Sequence, residues 1–432
     1  MENIQHIQSK GIYRGLPVFP DTEDKKDLTA IITGANGISG QHMLRVLAQN
    51  PQRWSKIYCL SRRSPAIPEG LPPQAEHIPL DFLKSPDQIA GVLQWHRVRA
   101  DYVFFYSFSH VLPKKGQDQW SHAEEEAIVN TNLLSNFLSA LSLTDIKPRR
   151  VLLQTGAKHY GVHLGPTIVS QEEHDSRILI EPNFYYSQED YLFSWCEEQS
   201  GVGWNVTRPS FILGAVPDAY YNMVLPLAIY ATVCKHLQQP IEYPGDLETW
   251  EQLQDMSSAM LDGYQAEWAV LDDDTANEAF NASDGSAFAW EKFWPKFAGQ
   301  YGVEWKGPVL DEDAYRVVRM PKEKTPRGFG PPMTIRLRFS MVDWANKPEV
   351  QQAWKELAQE HGLRDQQLRD VDRIFTFADA ALANVSRINM SMDKSRRFGW
   401  FGTVSSGDCI IETINDLAKL KMVPPFGDNK TS

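Results

Sequence analysis

The chain has 432 residues, of which 42% are hydrophobic and 23% are charged, a composition typical of a globular protein with one large domain or a large and a smaller one. Its formal net charge of −12 argues against nucleic acid or an anionic membrane as the main partner, because either would repel the chain at long range. The four cysteines lie far apart, so neither a metal site nor a disulfide framework is expected. The longest apolar stretch, residues 223–234, contains Pro226 and is too short to span a bilayer, which favours a soluble, cytoplasmic protein.

The predicted elements begin after a polar N-terminal arm, residues 1–27. Short apolar segments then alternate with helix-length segments, and we interpret them as strands at 28–33, 56–60, 77–80, 102–106, 150–155 and 205–213. The segment 124–142 is predicted to be an amphipathic crossover helix with an apolar face formed by Ile128, Leu133, Leu134, Phe137 and Leu141. This rhythm predicts βαβ units and an α/β fold, a Rossmann-like, doubly wound parallel sheet over residues 28–238.

The rhythm changes near Gln239. Helical, Trp-rich segments follow, and a Pro-rich loop at 320–332 interrupts them. We therefore expect a smaller, mostly helical substrate-binding lobe over 239–432, with some elements returning to the core.

A glycine-rich turn follows the first predicted strand of the sheet. Gly34, Gly37 and Gly40 stand in a GxxGxxG spacing, with Asn36 and Ile38 between them. The first glycine permits a tight turn, the second lets the backbone approach a pyrophosphate, and the third lets the helix pack on the strand. The pattern predicts a dinucleotide site in which all five residues take part.

The end of the second strand indicates which dinucleotide is bound. An NAD-specific site would place an acidic residue there, whereas this chain has Ser61, Arg62 and Arg63. A guanidinium group pairs with phosphate through two hydrogen bonds, so we expect a preference for NADP(H). Asp81, after the third strand, is placed to contact the adenine amine, although such an aspartate often caps a helix instead.

The catalytic residues are not those of an ordinary short-chain dehydrogenase/reductase. No tyrosine is followed by a lysine four residues later, so the usual YxxxK pair is missing. The chain instead carries TGAKHY at 155–160 and NFYYSQED at 183–190. These motifs resemble those of the progesterone 5β-reductase and iridoid synthase (PRISE) family, an atypical branch of that superfamily, and the similarity extends over nearly the whole chain, with filamentous-fungal members as the closest match.

The resemblance implies roles for individual residues. Lys158 and Tyr185 would be the catalytic pair at the cofactor, with Thr155 beside them in the cofactor site. Tyr186, His159 and Tyr160 are expected to be structural. For Asn130 the sequence leaves open a role near the site or an ordinary helix position.

The expected activity is NADPH-dependent 1,4-reduction of an enone or enal in a small hydrophobic carbonyl compound, within secondary metabolism. Hydrogen bonding from Tyr185 would stabilise the enolate oxygen, and Lys158 would hold the nicotinamide ribose. Candidates for the apolar substrate pocket are Phe108, Phe211, Met223 and Trp400. Two alternatives remain: a carbonyl (1,2) reductase with the same residues, and a non-catalytic NADP(H)-binding sensor. The sequence also leaves open whether the chain forms a homodimer.

Overall fold

The computed structural model of the chain describes residues 6–20, 22–111, 123–319 and 325–426. The predicted arm and the predicted Pro-rich loop at 320–332 therefore lie partly outside the described residues. Within the described ranges, none of the helices combines the length and the apolar character needed to cross a membrane.

The described strands run in chain order as follows: β1 (Ile7–Lys10), β2 (Tyr13–Pro17), β3 (Leu28–Thr33), β4 (Trp54–Ser61), β5 (Ala75–Pro79), β6 (Tyr102–Phe105), β7 (Arg150–Gln154), β8 (Gly203–Pro209), β9 (Phe211–Leu213), β10 (Ile241–Glu242), β11 (Met256–Ser258), β12 (Glu278–Ala282), β13 (Trp305–Lys306), β14 (Arg316–Arg319) and β15 (Thr334–Leu337).

The described α-helices are α1 (Ile38–Leu47), α2 (Pro86–Trp95), α3 (Ala123–Leu143), α4 (Phe184–Glu198), α5 (Val224–His236), α6 (Leu247–Glu251), α7 (Ala259–Leu271), α8 (Trp290–Tyr301), α9 (Met341–Ala345), α10 (Pro348–His361), α11 (Val371–Leu382), α12 (Asp393–Arg397) and α13 (Ser406–Lys419). A 3-10 turn, Ala157–Tyr160, follows β7.

Seven strands form one parallel sheet in the order β12-β8-β7-β6-β3-β4-β5. The chain moves outward from β3 through β4 to β5 and then returns to β6, so the strand order reverses between β3 and β6. In sheets of this kind, ligands bind outside the carboxyl ends of the strands at such a reversal. The prediction of a doubly wound, Rossmann-like parallel sheet is confirmed.

Successive residues of the central strands pack into two different cores, because side chains alternate across a strand. Ala30 and Ile32 of β3 lie in the core that contains α1, α5 and α7. Ile31 lies in the core formed with α2, α3 and α4. Burial on both faces explains why these strands read as continuous apolar runs.

The helical lobe is built around α5, which packs against α8, α10, α11 and α13. Elements beyond residue 238 also return to the Rossmann-like part of the chain: β12 pairs with β8 in the large sheet, and α7 packs against α1. The domain boundary at residue 238 stays a prediction.

Three sequence expectations differ from the structure. The last predicted strand, 205–213, is two strands, because β8 joins the large sheet while β9 pairs with β11. The described part of the arm is a hairpin, β1–β2, with Tyr13 and Leu16 buried. Ile128 does not belong to the buried face of α3, since its side chain is 56% exposed and the polar residues Glu126 and Asn130 are buried in its place.

Candidate active site

The glycine loop joins β3 to α1 by a turn in which side chains have little room. Gly34 has φ +60°, and a Cβ atom there would lie 2.8 Å from the carbonyl oxygen of Tyr106. A Cβ atom on Gly40 would lie 2.4 Å from Gly34 O and 2.8 Å from Ala35 Cα. Gly40 therefore allows α1 to pack directly on the turn, as expected for the third glycine of such a loop.

The remaining residues of the loop, Asn36, Gly37 and Ile38, lie at the start of α1. Gly37 is the N-cap of α1, and its N–H donates to Gly34 O at 2.9 Å. Asn36 is half-buried, and Ile38 packs against Val216 and Ala259. The unpaired N–H groups of the first helical turn therefore lie at the carboxyl edge of the sheet, where they can bind an anion.

The turn after β4 carries the residues predicted to select the cofactor. Ser61 is buried, and its hydroxyl donates to Arg63 O at 2.7 Å. Arg62 is exposed, while Arg63 pairs with Asp218 at 2.7 Å. Asp81 accepts from the N–H of Leu83 at 3.0 Å, and it does not cap α2, because Ser85 does so.

The two sequence motifs bind each other. Asn183 Nδ2 donates to the carbonyl oxygen of Lys158 at 3.1 Å, and the hydroxyl of Tyr186 donates to the carbonyl oxygen of His159. The Glu189 carboxylate lies 3.4 Å from His159 Nδ1 and 3.1 Å from Arg208. These contacts fix the turn after β7 against the start of α4, so Lys158 and Tyr185 are held on neighbouring elements.

Lys158 is held by an acid that the sequence analysis did not identify. Its ammonium group lies 3.2 Å from Glu126 Oε2 of α3 and 5.3 Å from the centre of the Phe184 ring. The second Glu126 oxygen lies 3.6 Å from Nδ1 of His110. Burial acts to raise the pKa of Glu126, but the neighbouring His110 ring and the charge of Lys158 outweigh it and hold the pKa below its usual value.

The Tyr185 side chain lies over the turn that precedes Lys158. A Cβ atom added to Gly156 would be only 3.0 Å from Tyr185 Oη. Burial, together with the nearby Glu126 carboxylate, raises the pKa of Tyr185 well above its usual value. The phenol therefore keeps its proton and is able to donate a hydrogen bond.

Two other predicted residues are tied to the backbone. The hydroxyl of Thr155 points to the carbonyl oxygen of Thr207 at 3.4 Å. Asn130 is fully buried, accepts from Ser109 N at 2.9 Å and donates to Ser109 O at 3.0 Å. Asn130 thus fastens the loop after β6 to α3, which favours the structural interpretation of this residue.

The four pocket candidates separate into two groups. Phe108 is 36% exposed, and its ring centre lies 5.5 Å from those of Phe184 and Tyr221, which places it against the start of α4. Phe211 is half-buried and faces Phe377 at 6.0 Å. Met223 and Trp400 are each 1% exposed and belong to the large hydrophobic core. Both side chains pack within that core, and the expectation that they line a substrate pocket stays a prediction.

Comparison with known proteins identifies relatives of the whole chain. Residues 103–320 match the family model of the PRISE-like Rossmann-fold domain. A 3-oxo-Δ(4,5)-steroid 5β-reductase from Arabidopsis thaliana is 30% identical, with 91% of this chain and 93% of that protein aligned. An (S)-8-oxocitronellyl enol synthase from Nepeta cataria is 29% identical, with the same shares covered.

Among solved structures, an epimerase from Methanothermobacter thermautotrophicus superposes with a TM-score of 0.54 at 16% identity, covering 91% of this chain and 92% of that one. This likeness supports the Rossmann-like fold. The family match and the relatives together support an oxidoreductase. The chain belongs to the PRISE-like family of Rossmann-fold proteins, an atypical branch of the short-chain dehydrogenases/reductases.

Proposed function

We propose that the protein is an NADPH-dependent reductase of an activated carbon–carbon double bond in a small hydrophobic enone or enal. The observation that carries the proposal is the position of the Tyr185 hydroxyl over Gly156, in the turn after β7 that also carries Lys158 and is tied to the start of α4 by Asn183. The two relatives, a steroid 5β-reductase and an enol synthase, support the same class of reaction.

The residues around the glycine loop fit a dinucleotide. Gly34 and Gly40 leave the turn without side chains, and the N-terminus of α1 offers N–H groups for a pyrophosphate. Arg62 and Arg63 supply positive charge at the end of β4, where the ribose 2′-hydroxyl or 2′-phosphate of a dinucleotide lies in this fold. Bound NADPH would supply a hydride to the β-carbon of the substrate, and a proton from solvent would then complete the saturated carbonyl product.

Tyr185 and Lys158 have different tasks in this proposal. As the double bond is reduced, negative charge collects on the carbonyl oxygen of the substrate, and the Tyr185 phenol donates a hydrogen bond to that oxygen. Because burial raises its pKa, the phenol keeps its proton at neutral pH and is able to donate. Lys158 holds the ribose and keeps the local potential positive, while Glu126 fixes the position of its ammonium group.

The substrate side of the site is lined by aromatic rings. Phe108 and Tyr221 face each other at 5.5 Å, and Tyr221 also meets Phe377 of the helical lobe at 5.2 Å. Rings of this kind bind apolar substrates by burying surface rather than by forming many hydrogen bonds. A small hydrophobic carbonyl compound matches that lining.

The test is a turnover screen with NADPH against cyclic enones, enals and simple ketones, with the products identified. We expect saturated carbonyl products from enones or enals. Tyr185→Phe should bind NADPH with native affinity and lose roughly 100-fold to 1000-fold in turnover, the usual effect of removing one oxyanion donor. Products that are alcohols with the double bond retained would instead support carbonyl reduction, and native turnover by Tyr185→Phe would contradict the assignment of this residue.

Tyr191→Phe is the matched control, because Tyr191 lies on the same helix and its hydroxyl contacts Ser139 at 3.0 Å, on the side of α3. Tyr186→Phe is not a neutral control. The Tyr186 hydroxyl accepts from Ile178 N at 2.9 Å and donates to His159 O, so its loss should lower the melting temperature while cofactor affinity is retained.

A further inference from the structure

An acid bridges two arginines at the edge of the predicted cofactor cleft. Asp218 Oδ2 lies 2.7 Å from Arg63 Nη2, and Asp218 Oδ1 accepts from Nη2 and Nε of Arg373 at 2.6 and 2.9 Å. The three side chains are partly exposed, at 35% for Asp218, 65% for Arg63 and 44% for Arg373. Arg63 follows β4, whereas Arg373 belongs to α11 of the helical lobe.

The bridge is placed by the loop 214–222, which connects β9 to α5 and runs from α1 towards His110. At its start, a Cβ atom on Gly214 would lie 2.6 Å from Ile38 Cγ2, and Ala215 O accepts from Gln41 Nε2 at 3.4 Å, so the loop lies on the first turns of α1. At its end, Tyr220 stacks on His110 at 3.9 Å, near the Glu126–Lys158 pair. Asp218 occupies the middle of the loop, beside the turn that carries Arg62 and Arg63.

The charge of this group suits an anion with more acceptors than a carboxylate. Arg63, Arg373 and Asp218 carry a net charge of about +1, and the adjacent Arg62 raises it to about +2. A guanidinium group presents a planar fork of donors that matches carboxylate and phosphate geometry. A phosphate monoester offers three acceptor oxygens and about two negative charges near neutral pH, so it is able to take the place that one carboxylate takes between the two forks.

We propose that Arg373 is a third arginine for the 2′-phosphate of the cofactor, and that Asp218 occupies the phosphate position when the cofactor is absent. The proposal rests on the NADP(H) preference of the proposed function. In the sequence-based interpretation, the turn after β4 alone determines the choice of cofactor. With Arg373, the helical lobe contributes to that choice as well. Asp218 holds the guanidinium groups of Arg63 and Arg373 in position and competes with the incoming phosphate.

The experiment measures binding of adenosine 2′,5′-bisphosphate and of 5′-AMP by calorimetry, which does not depend on turnover. Arg373→Gln should weaken the bisphosphate roughly tenfold, in the range of a lost charge-assisted hydrogen bond, and leave 5′-AMP within about twofold. Asp218→Asn should tighten the bisphosphate roughly threefold, since a competing charge is removed, and leave 5′-AMP unchanged. Fluorescence titration with NADPH and NADH should show the same contrast.

Arg369→Gln is the matched control. Arg369 lies four residues before Arg373, is 71% exposed, and reaches Asp365 only at 4.0 Å, so both nucleotides should bind its variant with native affinity. Equal weakening of both nucleotides by Arg373→Gln would assign a structural role to Arg373 and overturn the proposal. Weaker bisphosphate binding in Asp218→Asn would also overturn it, because Asp218 would then be an orienting residue and not a competitor.

The outcome also separates this proposal from the proposed function. If the native protein binds the two nucleotides equally, the NADP(H) preference itself is wrong. If the native protein prefers the bisphosphate, and Arg62→Ala with Arg63→Ala abolishes that preference while Arg373→Gln does not affect it, only the role of Arg373 is overturned.

Discussion

Lys158 places a positive charge in a site where its side chain is only 23% exposed, and Glu126 is the acid that balances it. We expect Glu126→Gln to lower turnover about tenfold, because the ammonium group loses the charge that fixes its position in the proposed site. Removal of both partners, in Glu126→Gln with Lys158→Met, should cost less than the sum of the single changes. The coupling free energy should be on the order of 1 kcal/mol or more, as for charged groups in contact.

The matched control for this double-mutant cycle is the ion pair of Lys56 with Glu76. Lys56 Nζ lies 2.6 Å from Glu76 Oε2, and both side chains are 38% exposed. Water screens such a pair, so its coupling should stay below about 1 kcal/mol, and turnover should not change. Additive effects of Glu126→Gln and Lys158→Met on turnover would contradict the positioning role of Glu126.

The pH dependence of this pair has a defined sign. Because the pKa of Glu126 is lowered in the folded protein, its stabilising contribution is complete above the ordinary carboxyl pKa, about 4.3, and is lost as pH falls through the folded value. The melting temperatures of Glu126→Gln and the native protein should therefore differ at pH 7 and converge as pH falls below about 4. A difference that persists unchanged at low pH would show that packing, and not charge, accounts for it.

Sequence reasoning selected Lys158 and Tyr185 as candidates from their motifs, but it could not select Glu126. It is the last of three consecutive glutamates at the start of α3, and such a run normally indicates a solvated helix terminus. Only the fold shows that the third of them faces Lys158, which lies 32 positions further on. Asp218 and Arg63 were hidden for the same reason, since 155 positions separate them in sequence.

At the scale of elements, the packing of α1 on the glycine loop depends on the absence of a side chain at Gly40. We expect Gly40→Ala to destabilise the protein and to weaken NADPH binding, because a Cβ atom only 2.4 Å from Gly34 O must push the helix away from the turn. Thermal unfolding and fluorescence titration measure the two effects. Gly91→Ala is the control: Gly91 lies inside α2, a Cβ atom there meets nothing within 4 Å, and alanine should stabilise this helix by about 0.5–1 kcal/mol.

The strands were predictable to the extent that burial on both faces leaves an unbroken apolar run. β3 agrees with its predicted range at both ends, and β4 to β7 differ from theirs by no more than two residues at either end. β12 was not predicted, because its sequence, EAFNA, includes the polar residues Glu278 and Asn281 and so lacks an unbroken apolar run. It also lies within a mostly helical region. Its place beside β8 is set by pairing between residues 73 positions apart. Local sequence patterns do not predict a pairing partner at such a distance.

At the scale of the whole molecule, two acids are buried on the side of the sheet opposite α2, α3 and α4. Asp262 of α7 is 5% exposed, and neither of its carboxylate oxygens has a hydrogen-bond partner among the described residues. Burial and the charge of Asp284 raise the pKa of Asp262 well above its usual value. Burial also raises the pKa of Asp284 to about 7, although Ser258 N and the Ser406 hydroxyl donate to it.

The raised pKa values mean that folding takes up protons, so these acids favour the folded state at low pH. Their contribution is complete below the unfolded pKa, about 3.9, and is lost progressively as pH rises towards the folded values. We expect Asp262→Asn, which is neutral at every pH, to raise the melting temperature at pH 8 by about 2 °C or more and to change it less at pH 5. Asp87→Asn, at an exposed position of α2, should give a difference that does not grow over this range. An Asp262→Asn difference of the same size at both pH values would mean that Asp262 does not take up a proton on folding, and the buried pair would then not account for the pH dependence of the stability of the protein.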